Sequence, residues 1–322
     1  MTFACLQVRV AQPSAAGGYL AFRHILTVLL WLLLGVPVAS ATDIIILKSS
    51  DIAAYNQAIT GFKAALPSGI VLSEYDLQGD LEKGRKLARK IRASDPALVF
   101  AVGLKAAKAA QLEIVDIPVV YAMVLDPSKY GLTTQNMTGI LLEVPIERQL
   151  AMMRNVLPQL KHIGTLYDPA KTTGLIDEAR RLLKPNGAEL IPLQVNNERD
   201  VPGGLRALLP SVDALWLVPD STVLNEESLR FILNTALEER VPVIGFSREF
   251  ARSGALLCLS VNYGDIGRQA GQLSRKLLDG QLSLPMKPWH PERIETSLNL
   301  KTAKFLGVQI PRDIEQQADE LY

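Results

Sequence analysis

The chain has 322 residues, with 34 basic and 33 acidic side chains, so its formal net charge at pH 7 is +1. A near-neutral chain without basic clusters lacks the electrostatic surface that binds nucleic acids or anionic lipids. The length is sufficient for two lobes with a hydrophobic core each.

The first predicted element is an export signal. A short apolar run at 25–34 follows Arg23 and His24, and the small residues Ala-Ser-Ala stand at 39–41. A charged start, a short apolar stretch and a small-x-small cleavage site are the three parts of a secretory signal peptide. The run is shorter than the roughly 20 apolar residues of a membrane span. We therefore expect residues 1–41 to be a cleaved signal peptide and the mature chain to work in the periplasm, with an uncleaved anchor as the alternative.

The next part of the chain alternates short apolar runs with amphipathic stretches. The predicted strands are 44–47, 70–75, 98–102 and 118–123, and the predicted helices are 52–66, 81–92 and 105–112. This alternation is typical of a parallel sheet with helices on both faces.

A second series of similar size begins after residue 145. Its predicted helices are 146–157, 174–183, 201–209, 224–240 and 264–278, and its predicted strands are 162–167, 189–193, 214–218, 242–246 and 295–300. Two consecutive series predict an α/β protein with two doubly wound parallel-sheet lobes. The segments left over, 138–144, 256–260 and 287–294, are candidates for connections between the lobes.

Cysteine and histidine usage gives little support for a cofactor. Cys5 lies in the predicted signal peptide, so Cys258 is left as the mature cysteine and cannot form an internal disulfide. His162 and His290 stand apart from each other and from any cysteine. We expect no metal, no cofactor and a monomeric mature chain.

Candidate binding residues follow the strands of the first series, because open α/β sheets bind ligands beyond the carboxyl ends of their strands. The hydroxyls of Ser49 and Ser50 could hold an anionic group at a helix N-terminus, or Ser50 or Asp51 could simply cap that helix. The other candidates after these strands are Gly103, Leu104, Met123 and Asp126. Gly103 and Asp126 could equally be ordinary turn residues.

The second series offers an aromatic face, carboxylates and hydroxyls at the matching positions. The candidates are Tyr167, Asp168, Thr172, Thr173, Asp220, Ser221, Phe246 and Tyr263. Asp168 or Asp220 could pair with a ligand ammonium or could cap a turn, and the aromatic residues could stack on the ligand or belong to the core. If Asp220 pairs with the ligand, Asp220→Ala should abolish binding and leave the melting temperature of the free protein nearly unchanged.

The predicted mature sequence gives no support for catalytic activity. It contains no Gly-x-Ser-x-Gly, Walker A or Gly-x-Gly-x-x-Gly string, and its two histidines lie outside the predicted site segments. We therefore expect a protein that is not an enzyme.

Several short strings carry a family resemblance through their order and spacing. They are Ile-Pro-Val-Val-Tyr at 117–121, Met-Thr-Gly-Ile at 137–140, Ile-Gly-Thr-Leu-Tyr at 163–167, Pro-Asp-Ser-Thr at 219–222, Tyr-Gly-Asp-Ile-Gly-Arg at 263–268 and Leu-Gly-Val-Gln-Ile-Pro at 306–311. From residue 44 to its end, the chain resembles the substrate-binding proteins of bacterial ABC transporters. Within them it resembles the group that includes tryptophan and tyrosine binders with a type I periplasmic binding protein fold.

The resemblance implies two lobes joined by three crossings that close on a small ligand. We expect 42–142 with 261–288 to form lobe 1, and 143–260 with 289–322 to form lobe 2. The family usually has a small hydroxyl residue where this chain has Leu104, and Asn where it has Asp168.

The function implied by the resemblance is a periplasmic receptor that delivers a solute to a membrane permease. The expected ligand is an aromatic amino acid or a similar small amphiphilic solute. The alternative is a periplasmic sensory module that feeds a membrane receptor or histidine kinase.

Overall fold

The computed structural model describes residues 42–322, and the predicted signal peptide lies outside these residues. The strands are β1 (Asp43–Lys48), β2 (Val71–Asp76), β3 (Leu98–Val102), β4 (Val119–Ala122), β5 (Met137–Gly139), β6 (His162–Tyr167), β7 (Glu189–Gln194), β8 (Ala214–Trp216), β9 (Val243–Gly245), β10 (Leu257–Ser260), β11 (Glu295–Leu298) and β12 (Glu320–Leu321). The helices are α1 (Ala53–Ala65), α2 (Leu81–Ala93), α3 (Leu104–Glu113), α4 (Ile146–Val156), α5 (Pro169–Leu183), α6 (Val201–Leu208), α7 (Glu226–Glu238), α8 (Arg248–Arg252), α9 (Tyr263–Leu278), α10 (Leu300–Leu306) and α11 (Arg312–Gln317).

The first sheet contains five parallel strands in the order β2-β1-β3-β4-β5. Strands β3 and β4 are buried along their whole length, as their continuous apolar sequences predict. Residues of α1 and α9 pack on one face of the sheet, and residues of α2 and α3 pack on the other. The first sheet is therefore doubly wound.

The second sheet contains seven strands in the order β12-β11-β10-β9-β8-β6-β7. Its neighbouring strands are parallel except for the antiparallel pair β10 and β11. Residues of α4 and α5 pack on one face, and residues of α6, α7 and α8 pack on the other. These two sheets confirm the predicted α/β fold class.

Within residues 42–322 the chain passes between the two sheets three times. It leaves the first sheet after β5, returns between β10 and α9, and leaves again between α9 and β11. The first and third passages run side by side, because Leu141 N donates to Trp289 O at 2.8 Å and Trp289 N donates to Gly139 O at 2.9 Å. The exact lobe boundaries stay a prediction.

Some predicted elements need correction. Residues 257–260 are strand β10 of the second sheet, not a connection, and the passage begins only after Ser260. Helix α5 starts at Pro169 instead of residue 174, because Asp168 caps it and proline is favoured at a first helical position. The three-residue strand β5 overlaps the start of the segment assigned to a connection, 138–144. It is too short to produce a recognisable apolar pattern.

Helices α1 and α9 pack in direct backbone contact. A Cβ added to Gly267 would overlap the carbonyl of Ala58, and one added to Gly61 would overlap the carbonyl of Gly264. Beneath these helices the Phe62 and Phe100 rings stack, with centroids 3.9 Å apart and an interplanar angle of 5°. Glycine is thus required at both positions for the two helices to pack this closely.

Among residues 42–322, none of the helices combines the length and the apolar character that crossing a bilayer requires.

Cys258 lies in the core of the second sheet and is fully buried. Burial raises the pKa of its thiol to about 12, so the reactive thiolate is scarce at pH 8. In a Cys5→Ser background, we expect the folded protein to react with Ellman's reagent only as it unfolds, and the urea-unfolded protein to react at once. Equal rates in the folded and unfolded proteins would contradict this burial.

Candidate functional site

The carboxyl end of β1 is tied to the start of α3. Ser49 N donates to Val102 O at 2.9 Å, and Ser49 Oγ accepts a hydrogen bond from Ala106 N at 2.9 Å. Ser49 is buried, whereas Ser50 is partly exposed. The predicted residues Ser49, Gly103 and Leu104 therefore lie together at the carboxyl edge of the first sheet.

Gly103 makes this close grouping possible. Its φ of +86° favours glycine, and an added Cβ would lie 2.6 Å from Tyr55 Oη and 2.7 Å from Ser49 Oγ. Tyr55 is absent from the residues predicted above. The first turn of a helix that follows a strand also faces the carboxyl edge, and this rule would have identified Tyr55. Burial raises the pKa of the Tyr55 hydroxyl.

Two backbone N–H groups remain free at the start of α3. Ala106 N donates to Ser49 Oγ and Ala107 N donates to Gly103 O, but Leu104 N and Lys105 N have no hydrogen-bond partner among residues 42–322. Free N–H groups at a helix N-terminus carry partial positive charge. The edge of the first sheet thus offers two N–H donors and two hydroxyls around Gly103.

The capping alternative for Ser50 or Asp51 is wrong. Helix α1 follows Ile52 and has no side-chain cap. The Asp51 carboxylate instead accepts from Asn56 Nδ2 at 2.7 Å and from Lys48 Nζ at 3.3 Å. These contacts lower the pKa of Asp51, through the hydrogen bond from Asn56 first and then through Lys48.

Met123 and Asp126 follow β4 in a strained turn. Both have positive φ values, +61° and +43°. The Asp126 carboxylate accepts from the Ser128 hydroxyl and from Lys129 N at 3.1 Å, and Asp126 N donates to Glu143 Oε1 at 3.0 Å. Met123 is buried, so it contributes to the core as well as to the wall of the edge. Asp126 therefore forms the local turn that was its alternative role.

Four predicted or neighbouring residues form a buried network at the carboxyl edge of the second sheet. Asp220 Oδ2 accepts from Asp168 N and from Thr172 Oγ1, both at 2.8 Å. In return, Asp168 Oδ2 accepts from Thr222 Oγ1 at 2.7 Å, and Asp220 Oδ1 accepts from Thr222 N at 2.9 Å. Thr222 was not predicted as a site residue, although it lies beside Ser221 in the predicted segment.

This network changes the expectation for Asp220. Its side chain is 1% exposed and accepts three hydrogen bonds, so its removal must affect stability. The expected unchanged melting temperature of Asp220→Ala is therefore inconsistent with the structure. Asp168 also caps α5 by accepting from Ala170 N, and its pKa is lowered by Thr222, by Ala170 N and by the charge of Lys171.

The remaining predicted residues differ in what they contact. Tyr167 is partly buried against the second-sheet core, and Phe246 packs edge-on against Phe250 at a centroid distance of 5.0 Å. Thr173 donates its hydroxyl hydrogen to Pro169 O. Tyr263, the first residue of α9, is 37% exposed.

One hydrogen bond joins the loop after β4 to the start of α5. Lys129 Nζ donates to Lys171 O at 3.3 Å, while Lys171 Nζ donates to Ser221 Oγ at 2.9 Å. The carboxyl edges of the two sheets therefore approach each other at these loops. Among residues 42–322, no group of three His, Cys, Asp or Glu side chains is arranged to hold a metal ion.

A separate groove of about 1080 Å³ lies along α1 and α9. Four arginines contribute to it, Arg248, Arg268, Arg275 and Arg293. None of the predicted site residues lines this groove. Its lining nevertheless includes Asn262 and Gly264, the chain neighbours of Tyr263.

Comparison with known proteins places these features in a family. The family model for "ABC transporter substrate binding protein" matches residues 50–322. The Tyrosine-binding protein of Clostridioides difficile is 25% identical over 240 residues, which cover 72% of this chain and 69% of that protein.

Solved structures share the fold. A ligand-free, open substrate binding protein with adhesive properties from Clostridium difficile has a TM-score of 0.74 and 23% identity, and the match covers 87% of this chain and 99% of that one. The ABC domain in complex with L-Trp from Streptococcus pneumonia has a TM-score of 0.61 and 19% identity, covering 88% and 100%. The fold is that of the type I periplasmic binding proteins. Because the family model matches most of its length, the chain belongs to the ABC transporter substrate binding protein family.

Proposed function

We propose that this chain is the periplasmic solute receptor of an ABC-type uptake system. In this proposal, lobe 1 (42–142 with 261–288) and lobe 2 (143–260 with 289–322) close on a small ligand, and the closed form delivers it to the membrane permease. Closure is a shift of a two-state equilibrium towards the form with more ligand contacts. The Lys129–Lys171 hydrogen bond supports the closure, because it joins loops at the carboxyl edges of both sheets.

The observation that carries the proposal is the group of donors around Gly103. Leu104 N and Lys105 N are free, and the hydroxyls of Ser49 and Tyr55 lie beside Gly103. Helix N–H groups and hydroxyls can donate several hydrogen bonds to one anionic group. This set of donors therefore suits a carboxylate. We therefore assign the anionic end of the ligand to this place, with Ser50 at its rim.

The remaining proposed contacts suit an apolar ligand body. Leu125, which follows β4 of the first sheet, is 51% exposed, and Tyr263, which begins α9 on the face of that sheet, is 37% exposed. Exposed apolar side chains at the edge of a binding cleft gain free energy when a ligand covers them. On the second sheet we propose contacts from Tyr167, Thr173 and Ser221, with Phe246 behind them.

An aromatic amino acid is the ligand that this arrangement favours. The Tyrosine-binding protein of Clostridioides difficile and the L-Trp complex from Streptococcus pneumonia support this choice. The test is calorimetric titration of the mature chain with L-tyrosine, L-tryptophan and, as a control, L-lysine. We expect saturable binding of an aromatic amino acid together with a higher melting temperature. If neither aromatic amino acid binds, the proposed ligand class is wrong. If cells that lack the gene still take up the amino acid at the same rate, the proposed role in transport is wrong.

Gly103→Ala tests the proposed carboxylate position. The new Cβ would meet Tyr55 Oη and Ser49 Oγ, so both hydroxyls must shift away from the free N–H groups. We expect the affinity for the aromatic amino acid to fall at least about ten-fold, measured by calorimetry at 25 °C. The matched control is Gly187→Ala, where φ is +70° and the nearest side-chain atom would lie 3.8 Å away. Equal affinities of the two variants would place the carboxylate elsewhere.

A further inference from the structure

Two loops on the second-sheet side of the proposed site are held together by side chains. The first loop (168–173) follows β6, comprises the cap and first turn of α5, and contains Asp168 and Thr172. The second follows β8 and contains Asp220 and Thr222. All four side chains are at least nine-tenths buried, with exposures of 8%, 8%, 1% and 6% respectively. Buried polar side chains are normally hydrogen-bonded within the protein.

The hydrogen bonds between the loops are reciprocal. Asp220 accepts from the backbone and a hydroxyl of the first loop, and Asp168 accepts from a hydroxyl of the second loop. Each carboxylate also accepts a backbone N–H of its own loop, Ala170 N for Asp168 and Thr222 N for Asp220. Every oxygen of the two carboxylates therefore accepts a hydrogen bond from the protein. Neither side chain needs a ligand to complete its hydrogen bonding.

The same pair of loops also contacts the first-sheet side. Lys171 of the first loop donates to Ser221 of the second, and its carbonyl accepts from Lys129. A displacement of either loop would therefore move the surface against which the loop after β4 rests. The network residues Thr172, Asp220 and Thr222 are the immediate chain neighbours of Lys171 and Ser221.

We propose that Asp168, Thr172, Asp220 and Thr222 are positioning residues, which fix the two loops in the shape that receives the ligand. In this assignment neither aspartate is the partner of the ligand ammonium. An ammonium could reach Asp220, which is 1% exposed, only by displacing the donors that hold the loops. The inference rests on the proposed binding of an aromatic amino acid and adds the role of these four residues.

The first test compares the effect of one substitution on the affinities for two ligands. Thr222→Val removes the hydroxyl that donates to Asp168 and keeps the side-chain shape, and Thr222→Ser keeps the hydroxyl. We measure affinities for L-tyrosine and for 3-(4-hydroxyphenyl)propionate, which lacks the ammonium, at 25 °C where the variants are folded. Thr222→Val should lower the affinity for both ligands by the same factor, about ten-fold. Thr222→Ser should restore the affinity for both.

A loss confined to L-tyrosine would overturn the inference, because it would mean that the network acts on the ammonium. Unchanged affinity for both ligands would also overturn it. If Thr222→Val does not fold, Thr172→Val removes the equivalent hydroxyl on the other loop and is expected to give the same pattern.

The second test needs no ligand and separates this inference from the proposed function. Hydrogen exchange of the free protein should speed up at 168–173 when the substitution is at Thr222, because it removes the hydroxyl that donates to Asp168 across the loops. Exchange in β1 should stay unchanged. If the wild-type protein binds neither compound, the proposed ligand is wrong. Faster hydrogen exchange at 168–173 in the Thr222 variant would still support the network. Faster exchange at 218–224 alone would overturn it.

Discussion

Gly267→Ala is expected to lower the free energy of unfolding by about 3 kcal/mol, as overpacking of a tight contact does. The added methyl group would overlap the carbonyl of Ala58 on α1, so α1 and α9 must move apart. Backbone atoms cannot rotate away as a flexible side chain can. The separation would also loosen the contacts of Phe62 with Phe100 beneath the helices.

Urea unfolding followed by circular dichroism measures this effect as a lower midpoint with an unchanged slope. Gly174→Ala is the matched control, because Gly174 lies inside α5 and an added Cβ would meet nothing within 4 Å. Alanine there should raise stability by about 1 kcal/mol through helix propensity. The same chemical change is thus expected to have opposite signs at the two positions. A stabilised Gly267→Ala protein would refute the close packing of α1 and α9.

Asp220→Ala is expected to lower the free energy of unfolding by about 4 kcal/mol, because several buried donors lose their acceptor at once. The donors are Asp168 N, Thr172 Oγ1 and Thr222 N. Affinity for the ligand should fall as well, since the two loops lose their connection. Urea unfolding and calorimetric titration on the same protein samples measure both effects.

The control for Asp220→Ala is Asp51→Ala, the same substitution at a carboxylate whose side chain is 65% exposed. Water replaces the contacts of Asp51 with Lys48 and Asn56, so the unfolding midpoint should stay unchanged. If Asp220→Ala also left the midpoint unchanged and abolished binding, the ammonium-pairing role expected from the sequence would be correct. The positioning role inferred from the structure would then fail.

Most of the fold could be predicted from the sequence because apolar periodicity reports burial directly. Continuous apolar runs such as 98–102 indicate strands covered on both faces, and the alternation with amphipathic helices indicates parallel sheets. The antiparallel direction of β11 could not be predicted, because side-chain alternation is the same for either direction of a strand. The start of α5 was missed because Asp-Pro is as typical of a turn as of a helix beginning.

The candidate site residues stay a prediction, but the structure shows which of them lie together and what they contact. Ser49 and Gly103 follow strands that the sequence predicts, and the structure brings them together with Tyr55, which was missed. Asp168 and Asp220 were singled out as possible partners of a ligand cation. Their hydrogen bonds are instead directed at each other's loops. A sequence indicates which side chains carry charge, but not which neighbours will satisfy them.

The sequence by itself determined the α/β class, the doubly wound arrangement, the family and the edge of the sheets where the candidate residues lie. The fold class and the edge depend on local periodicity and on the order of elements along the chain, whereas the family resemblance rests on short strings of residues. Only the tertiary structure decided that Gly267 must be glycine, that Tyr55 joins Ser49 at Gly103, and that Thr222 connects to Asp168. Such contacts join residues distant in sequence, and their geometry depends on how helices and loops pack in three dimensions.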